Sequence, residues 1–223
     1  MTIVDRNRTG RAVIAAASML VGYVAFARAR QLRWGATEDE ACGVLPGDRI
    51  LTDPDLVATR AITIAAPPEA VWPWLVQLGQ ARGGFYTYDL LENLAGCRIH
   101  NADRIVPEWQ HIAVGDEVRL HPEVALTVAE VHPGRALVLR GAVPMGGTPP
   151  PYDFTWAFNV AKQAEGATKL VVRERYAYTH RCAALLVEPV AVISFLMSQK
   201  MLRGIRDRAE RTHLSGPRLA SVS

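Results

Sequence analysis

The chain has 223 residues, 49% of them apolar, which is enough for a sizeable core and excludes a disordered tail or a disulfide miniprotein. Its net charge of +3 divides into +5 over residues 1–35, −6 over 36–180 and +4 over 181–223. A nucleic-acid binder carries a basic patch on its folded domain, so the acidic middle excludes nucleic acid as a partner.

In chain order, the first feature is the uncharged run AVIAAASMLVGYVAFA, residues 12–27, with Arg6, Arg8 and Arg11 before it and Arg28, Arg30 and Arg33 after it. As a helix this run spans ~24 Å against a hydrocarbon core of ~30 Å; snorkelling arginines and local thinning make up the difference. It reads as a single-pass anchor in the cell membrane. A signal peptide cleaved near Ala27-Arg28-Ala29, releasing a secreted protein, is the second reading, and a surface helix packed on the domain is the third. Three arginines on each side leave the orientation open.

Residues 34–58 are acidic and broken by Gly and Pro, the composition of a linker. From Thr59 to Ala65 the pattern sets Ile62 and Ile64 against Arg60 and Thr63, as in a half-buried strand. Pro67-Pro68-Glu69 then opens a helix expected over Pro68 to Leu78, with proline tolerated in its first turn and a carboxylate at its positive end. A Gly-Gly loop leads to a second short helix, Tyr88 to Ala95, with Asp89 and Glu92 at capping-box spacing. Strands follow at Glu117–His121, Ala125–Val131, Ala136–Arg140, Tyr152–Val160 and Thr168–Tyr178. Short connections between them argue for an antiparallel sheet. A helix from about Pro189 to Arg211 closes the fold and a disordered tail is expected from residue 214. Cys42, Cys97 and Cys182 are odd in number and widely spaced, so neither a zinc site nor a disulfide framework is expected.

This order, carried by APPEAVWPWLVQLG (66–79), RGGFYTYDLLENLAG (82–96), VGDEVRL (114–120), TKLVVRERYAY (168–178) and KMLRGIRDRAE (200–210), resembles the helix-grip fold of the START-like or SRPBCC superfamily. That is the Bet v 1-like, polyketide cyclase and lipid-transfer group, and the chain looks like a bacterial subgroup with an N-terminal apolar segment. The resemblance implies an α+β fold with a curved antiparallel sheet of about seven strands wrapped on the terminal helix, two short helices after the first strand, and an apolar helix ahead of the domain. The implied layout is an anchor over 1–33, a linker over 34–58, the domain over 59–213 and a tail over 214–223.

Catalytic motifs are missing: the sequence has no GxSxG, HExxH or dinucleotide glycine fingerprint. His100, His111, His121, His132, His180 and His213 form no pair spaced to clamp a metal, so no catalytic residue, metal or cofactor is assigned. The candidate site is a ligand chamber. The resemblance places Tyr86, Tyr88 and Glu92 at the cavity mouth, where rings with polar tips would orient a ligand, although Tyr86 and Tyr88 could equally pack on the sheet; Trp109 is similar. Alternation places Leu170, Val172, Glu174, Tyr176 and Tyr178 on one strand face, which would turn Glu174 and Tyr176 inward as acid or polar anchor, although a lone carboxylate on a strand more often faces solvent. Trp156 lies with Phe154 and Phe158 on one face of the preceding strand, enough to floor a cavity or fill a core, and Met197 and Met201 suit either adaptable lining from the helix or plain core packing. The expected function is a membrane-tethered domain that binds or transfers a hydrophobic small molecule or lipid. A cyclase or dehydratase acting on a polyketide-like substrate is the alternative, and a partner-binding module with a self-filled core is a third reading.

Overall fold

The computed structural model describes Ser18, Gly22 and residues 26–87, 100–142, 150–181 and 183–215. The expected helix over Tyr88–Ala95 and most of the apolar run 12–27 fall outside the described residues, as does the chain beyond residue 215.

The fold is α+β. Among the described residues the strands are β1 (Leu56–Ile64), β2 (Glu117–His121), β3 (Val124–His132), β4 (Ala136–Gly141), β5 (Tyr152–Lys162) and β6 (Thr168–Tyr178). They form one antiparallel sheet in the order β1-β6-β5-β4-β3-β2. Six strands replace the expected seven or so, because the segments with strand alternation are six and each pairs with its chain neighbour except β1, which closes on β6. The described residues also include helices α1 (Glu38–Cys42), α2 (Pro68–Val76) and α3 (Ala183–Ser215), besides a helical stretch over 26–32. A sheet folded against a long terminal helix is consistent with the helix-grip arrangement that the element order resembles.

Alternation builds the core. Leu170, Val172, Glu174 and Tyr176 on β6 and Tyr152, Phe154 and Phe158 on β5 are buried on the face that meets α3. From α3 the buried side is Val187, Ala191, Ser198, Met201, Leu202, Ile205 and Ala209. Arg60 departs from the expected pattern. It shares the parity of Ile62 and Ile64, so it points inward with them and is 1% exposed.

α3 begins six residues before Pro189 and runs into the stretch expected as tail. Proline is tolerated there because the carbonyl it leaves unbonded, that of Leu185, sits on the helix's exposed side, where water can reach it. α2 ends at Val76 with Pro73 inside it, and Gln77 takes the cap.

The stretch 34–58, expected as a linker, carries structure of its own. A capping box of Thr37 and Glu40 starts α1. Trp34 accepts a hydrogen bond from the backbone N–H of Ala61, which covers the open edge of β1. On the outer face of β6 the buried Arg173 guanidinium holds the rest: it donates to Asp48 Oδ2 (2.6 Å) and to the carbonyls of Gly43 (2.9 Å), Glu40 (2.6 Å) and Ala41 (3.0 Å). β1 itself begins at Leu56, three residues before the expected start.

Candidate functional site

The side chains enclosed between the sheet and α3 include one ion pair. Glu174 on β6 faces Ala58 across the β1 ladder, and Arg60 lies diagonally from it, within reach of a long side chain. Arg60 Nη1 donates to Glu174 Oε1 at 2.7 Å, with both side chains almost wholly buried. α3 supplies two hydroxyls at i, i+4 spacing. Ser194 Oγ donates to Glu174 Oε1 and Oε2 (2.7 and 2.8 Å), and Ser198 Oγ lies 3.1 Å from both Glu174 Oε1 and Arg60 Nη1. Tyr176 adds its hydroxyl to Oε2 at 3.3 Å. Burial and the neighbouring Glu174 carboxylate hold the Tyr176 hydroxyl far above its ordinary pKa, so it stays a neutral donor. The Arg60 guanidinium also lies 5.7 Å from the Phe195 ring centroid.

Charge is balanced in this cluster but hydrogen bonding is not. Arg60 Nη2 is buried without a partner among the described residues, and so is Trp156 Nε1 on β5. Trp156 stands opposite Glu174 in the β5–β6 ladder. Two strand spacings across the sheet and a two-residue offset along it, roughly 12 Å in all, therefore separate the Arg60 and Trp156 positions. Trp156 packs between Phe85 (6.0 Å between centroids) and Phe158 (4.8 Å), yet it is only half-buried although it lies mid-strand on the inward face. The aromatic floor continues through Phe154 and Tyr152, 4.7 and 5.6 Å from the Tyr176 ring.

Other expected residues lie elsewhere. Tyr86, at φ 57°, turns its hydroxyl into the protein, where it donates to the Trp74 carbonyl (3.1 Å) and accepts from Gln77 Nε2 (3.1 Å). Burial raises its pKa beyond the ordinary tyrosine range. The Arg208 guanidinium covers its ring at 4.8 Å, and Trp74, whose Nε1 is likewise unpartnered, meets it edge-on at 5.7 Å. These contacts make Tyr86 a joint between α2 and α3. Trp109 sits half-buried in a 3-10 turn, Pro107–Trp109, and its carbonyl accepts from Arg82 at 2.6 Å. Met201 is buried in the core and Met197 half-buried on α3, while Tyr88 and Glu92 lie outside the described residues.

The sequence reading missed Arg60, Ser194, Ser198 and Gln77. Gln77 is a buried hub that donates to Tyr86 and to the Arg104 carbonyl and accepts from Val106 and Gln110. Two signals were present: Arg60 has the parity of Ile62 and Ile64, and two serines four apart interrupt the apolar half of α3.

Among solved structures, the chain is similar to a Thermobifida fusca protein at 16% identity, over 70% of this chain and 93% of that one, with a TM-score of 0.45. It is also similar to norcoclaurine synthase from Thalictrum flavum (13% identity, 72% and 87% covered, TM-score 0.42) and to CalU16 from Micromonospora echinospora (13%, 70% and 84%, TM-score 0.35). No family model and no curated protein matches the sequence. At such identities and scores, any functional reading has to come from the chain's own side chains.

Proposed function

We propose that this protein is a membrane-tethered binding domain for a small, largely apolar molecule that carries one hydrogen-bond-accepting group. The observation that supports it is the pair of buried, unpartnered donors, Arg60 Nη2 and Trp156 Nε1, on an aromatic face that is still half-open at Trp156. A buried donor left without an acceptor costs about 1–3 kcal/mol, so a carbonyl or carboxyl oxygen brought by a ligand recovers that free energy while its apolar body covers the rings. Glu174 suits a supporting part. Its oxygens already accept from Arg60, Ser194, Ser198 and Tyr176, which favours a carboxylate that positions Arg60 over one that exchanges protons with a substrate. This arrangement favours binding over cyclase or dehydratase turnover. The apolar run 12–27 holds the domain at a bilayer, where such ligands concentrate.

The test is native mass spectrometry of the full chain, extracted in mild detergent from lipid mixtures. Retained adducts that are weakened several-fold by Trp156→Phe, which keeps an aromatic ring, though a smaller one, and removes the N–H, support this reading. Recovery of the bare chain mass from every mixture overturns it.

A further inference from the structure

The first half of α3 presents a surface that the ligand reading does not use. Leu185 (79% exposed), Leu186, Val192, Ile193 (60%) and Leu196 are all exposed, and Pro189 lies among them. Their spacing of 1, 4, 7, 8 and 11 residues from Leu185 places them on one side of the helix, a line about 16 Å long. That side is opposite to Val187, Ala191, Ser198 and Met201, which face the core.

The same line continues into cations. Arg203 follows Leu196 by seven residues, two turns on at nearly the same angle, and Arg206 is close by. These two arginines form one wall of a groove of about 740 Å³ whose other walls include Phe26, Arg30, Arg33, Trp34 and Lys169. Among the described residues no carboxylate lines the groove. Arg33, Lys169 and Arg206 have acidic neighbours at its margin, Glu38, Glu40 and Asp207, whereas Arg30 and Arg203 have no carboxylate partner among the described residues. The Arg203 guanidinium lies over the Trp34 ring at 5.4 Å, which holds it in the groove.

Chain connectivity names the occupant. Residues 26–32 are helical and lie beside α3, tied to it by the ion pair of Arg28 with Glu188, and they are tied to β1 by the Arg60 Nε bond to the Gln31 carbonyl (3.3 Å). The uncharged sequence that precedes Phe26 therefore joins the domain next to the apolar line.

We infer that the domain rests on an anionic bilayer through this side of α3, with Leu185, Leu186, Val192, Ile193 and Leu196 in the headgroup–acyl boundary and the groove at Arg30 and Arg203 taking a lipid phosphate. α3 is long and apolar enough to cross a membrane, but Met201, Leu202 and Ile205 fix its opposite side to the sheet, so it lies along the surface. A water-exposed apolar line of this length is costly, and burying it a few ångströms deep removes that cost, while arginines at its end reach phosphate oxygens. The inference rests on the membrane tether of the proposed function, and it adds a second contact that fixes how the domain is oriented.

The test uses the full chain with Cys42, Cys97 and Cys182 replaced by serine. A nitroxide is attached through Ile193→Cys or, as reference, through Val114→Cys, next to β2 at the sheet edge farthest from β1. Vesicles of phosphatidylcholine alone and of phosphatidylcholine with phosphatidylglycerol are compared. The expected result is a several-fold higher ratio of oxygen to nickel-chelate accessibility at position 193 than at 114 in the mixed vesicles. Arg30→Gln with Arg203→Gln should abolish the difference between the two lipid compositions. A chain that floats with vesicles but leaves the label at 193 as wet as that at 114 keeps the tether and overturns the docking. A label at 193 shielded from both reagents marks a protein contact and overturns it too. Failure to float with either vesicle overturns tether and docking together, and ligand retention is read independently by mass.

Discussion

At the scale of single residues, the central fact is a full charge placed where only its partner makes it tolerable. Arg60 has the parity of its isoleucine neighbours, so alternation alone pointed it inward. Its residue type argued for solvent, and the partner that reverses this, Glu174, is 114 positions away in sequence and next to it in the sheet. Pairing of that range is invisible to local pattern, which is why Arg60 was not legible as inward-facing and why Glu174 was legible only through the apolar face it shares, against its own residue type. The physics fixes how the pair responds to mutation. Arg60→Leu strands a buried carboxylate and is expected to destabilise the fold by about 3–5 kcal/mol, whereas Arg60→Leu combined with Glu174→Leu should cost much less than the two single changes added together. Denaturant unfolding of the solubilised chain measures all three. Simple additivity would mean that the pair is not coupled.

At the scale of elements, the strands were readable because each alternates over its own few residues, and β2 to β6 fall within a residue or two of the expected limits. The layer over residues 34–52 was not readable: its hold on the domain comes from Arg173 grasping backbone carbonyls, and carbonyls carry no sequence signature. The approach of α3 to the loop after α2 was hidden for a similar reason. Gly204 lies where an added Cβ would come within 2.6 Å of the Tyr86 carbonyl oxygen and 2.7 Å of its Cβ, inside van der Waals contact with atoms that cannot rotate away. Ala is the better helix former, yet Gly204→Ala must push α3 from the Tyr86 joint. The expected cost is about 1–3 kcal/mol, against the gain of just under 1 kcal/mol that the same change gives in an unobstructed helix. Thermal unfolding of this variant decides between the two signs, and a stabilised protein would mean that the helix and loop are not in contact.

For the whole molecule, the distribution of charge and the burial of its tyrosines act together. The basic ends meet on one side, where Arg30 and Arg33 share a groove with Arg203 and Arg206, while the acidic middle forms the body behind them. The division of charge seen in the sequence thus becomes a polarity of the folded molecule. Within the body, Tyr86 and Tyr176 occupy separate parts of one core, the first at the joint of α2 with α3 and the second on β6, and burial raises the pKa of both. Both hydroxyls stay protonated in the folded state at a pH where the unfolded chain, with tyrosine near 10.0, releases its protons. The folded state then binds more protons than the unfolded one, so stability is fully present below about pH 10 and falls as pH rises above it, by up to about 1.4 kcal/mol per pH unit for each tyrosine. Since both groups report on the same core, the loss should appear as one cooperative transition whose midpoint temperature drops steadily from pH 9.5 to pH 11.5, a range set by the ordinary tyrosine value of about 10. Tyr86→Phe should lower stability by about 1 kcal/mol at neutral pH through its lost hydrogen bonds, and it should remove its own share of the alkaline slope, leaving that of Tyr176 and of the partly buried Tyr178. A slope unchanged by Tyr86→Phe would show that the hydroxyl between Gln77 and the Trp74 carbonyl is reached by solvent and ionises as freely in the folded chain as in the unfolded one.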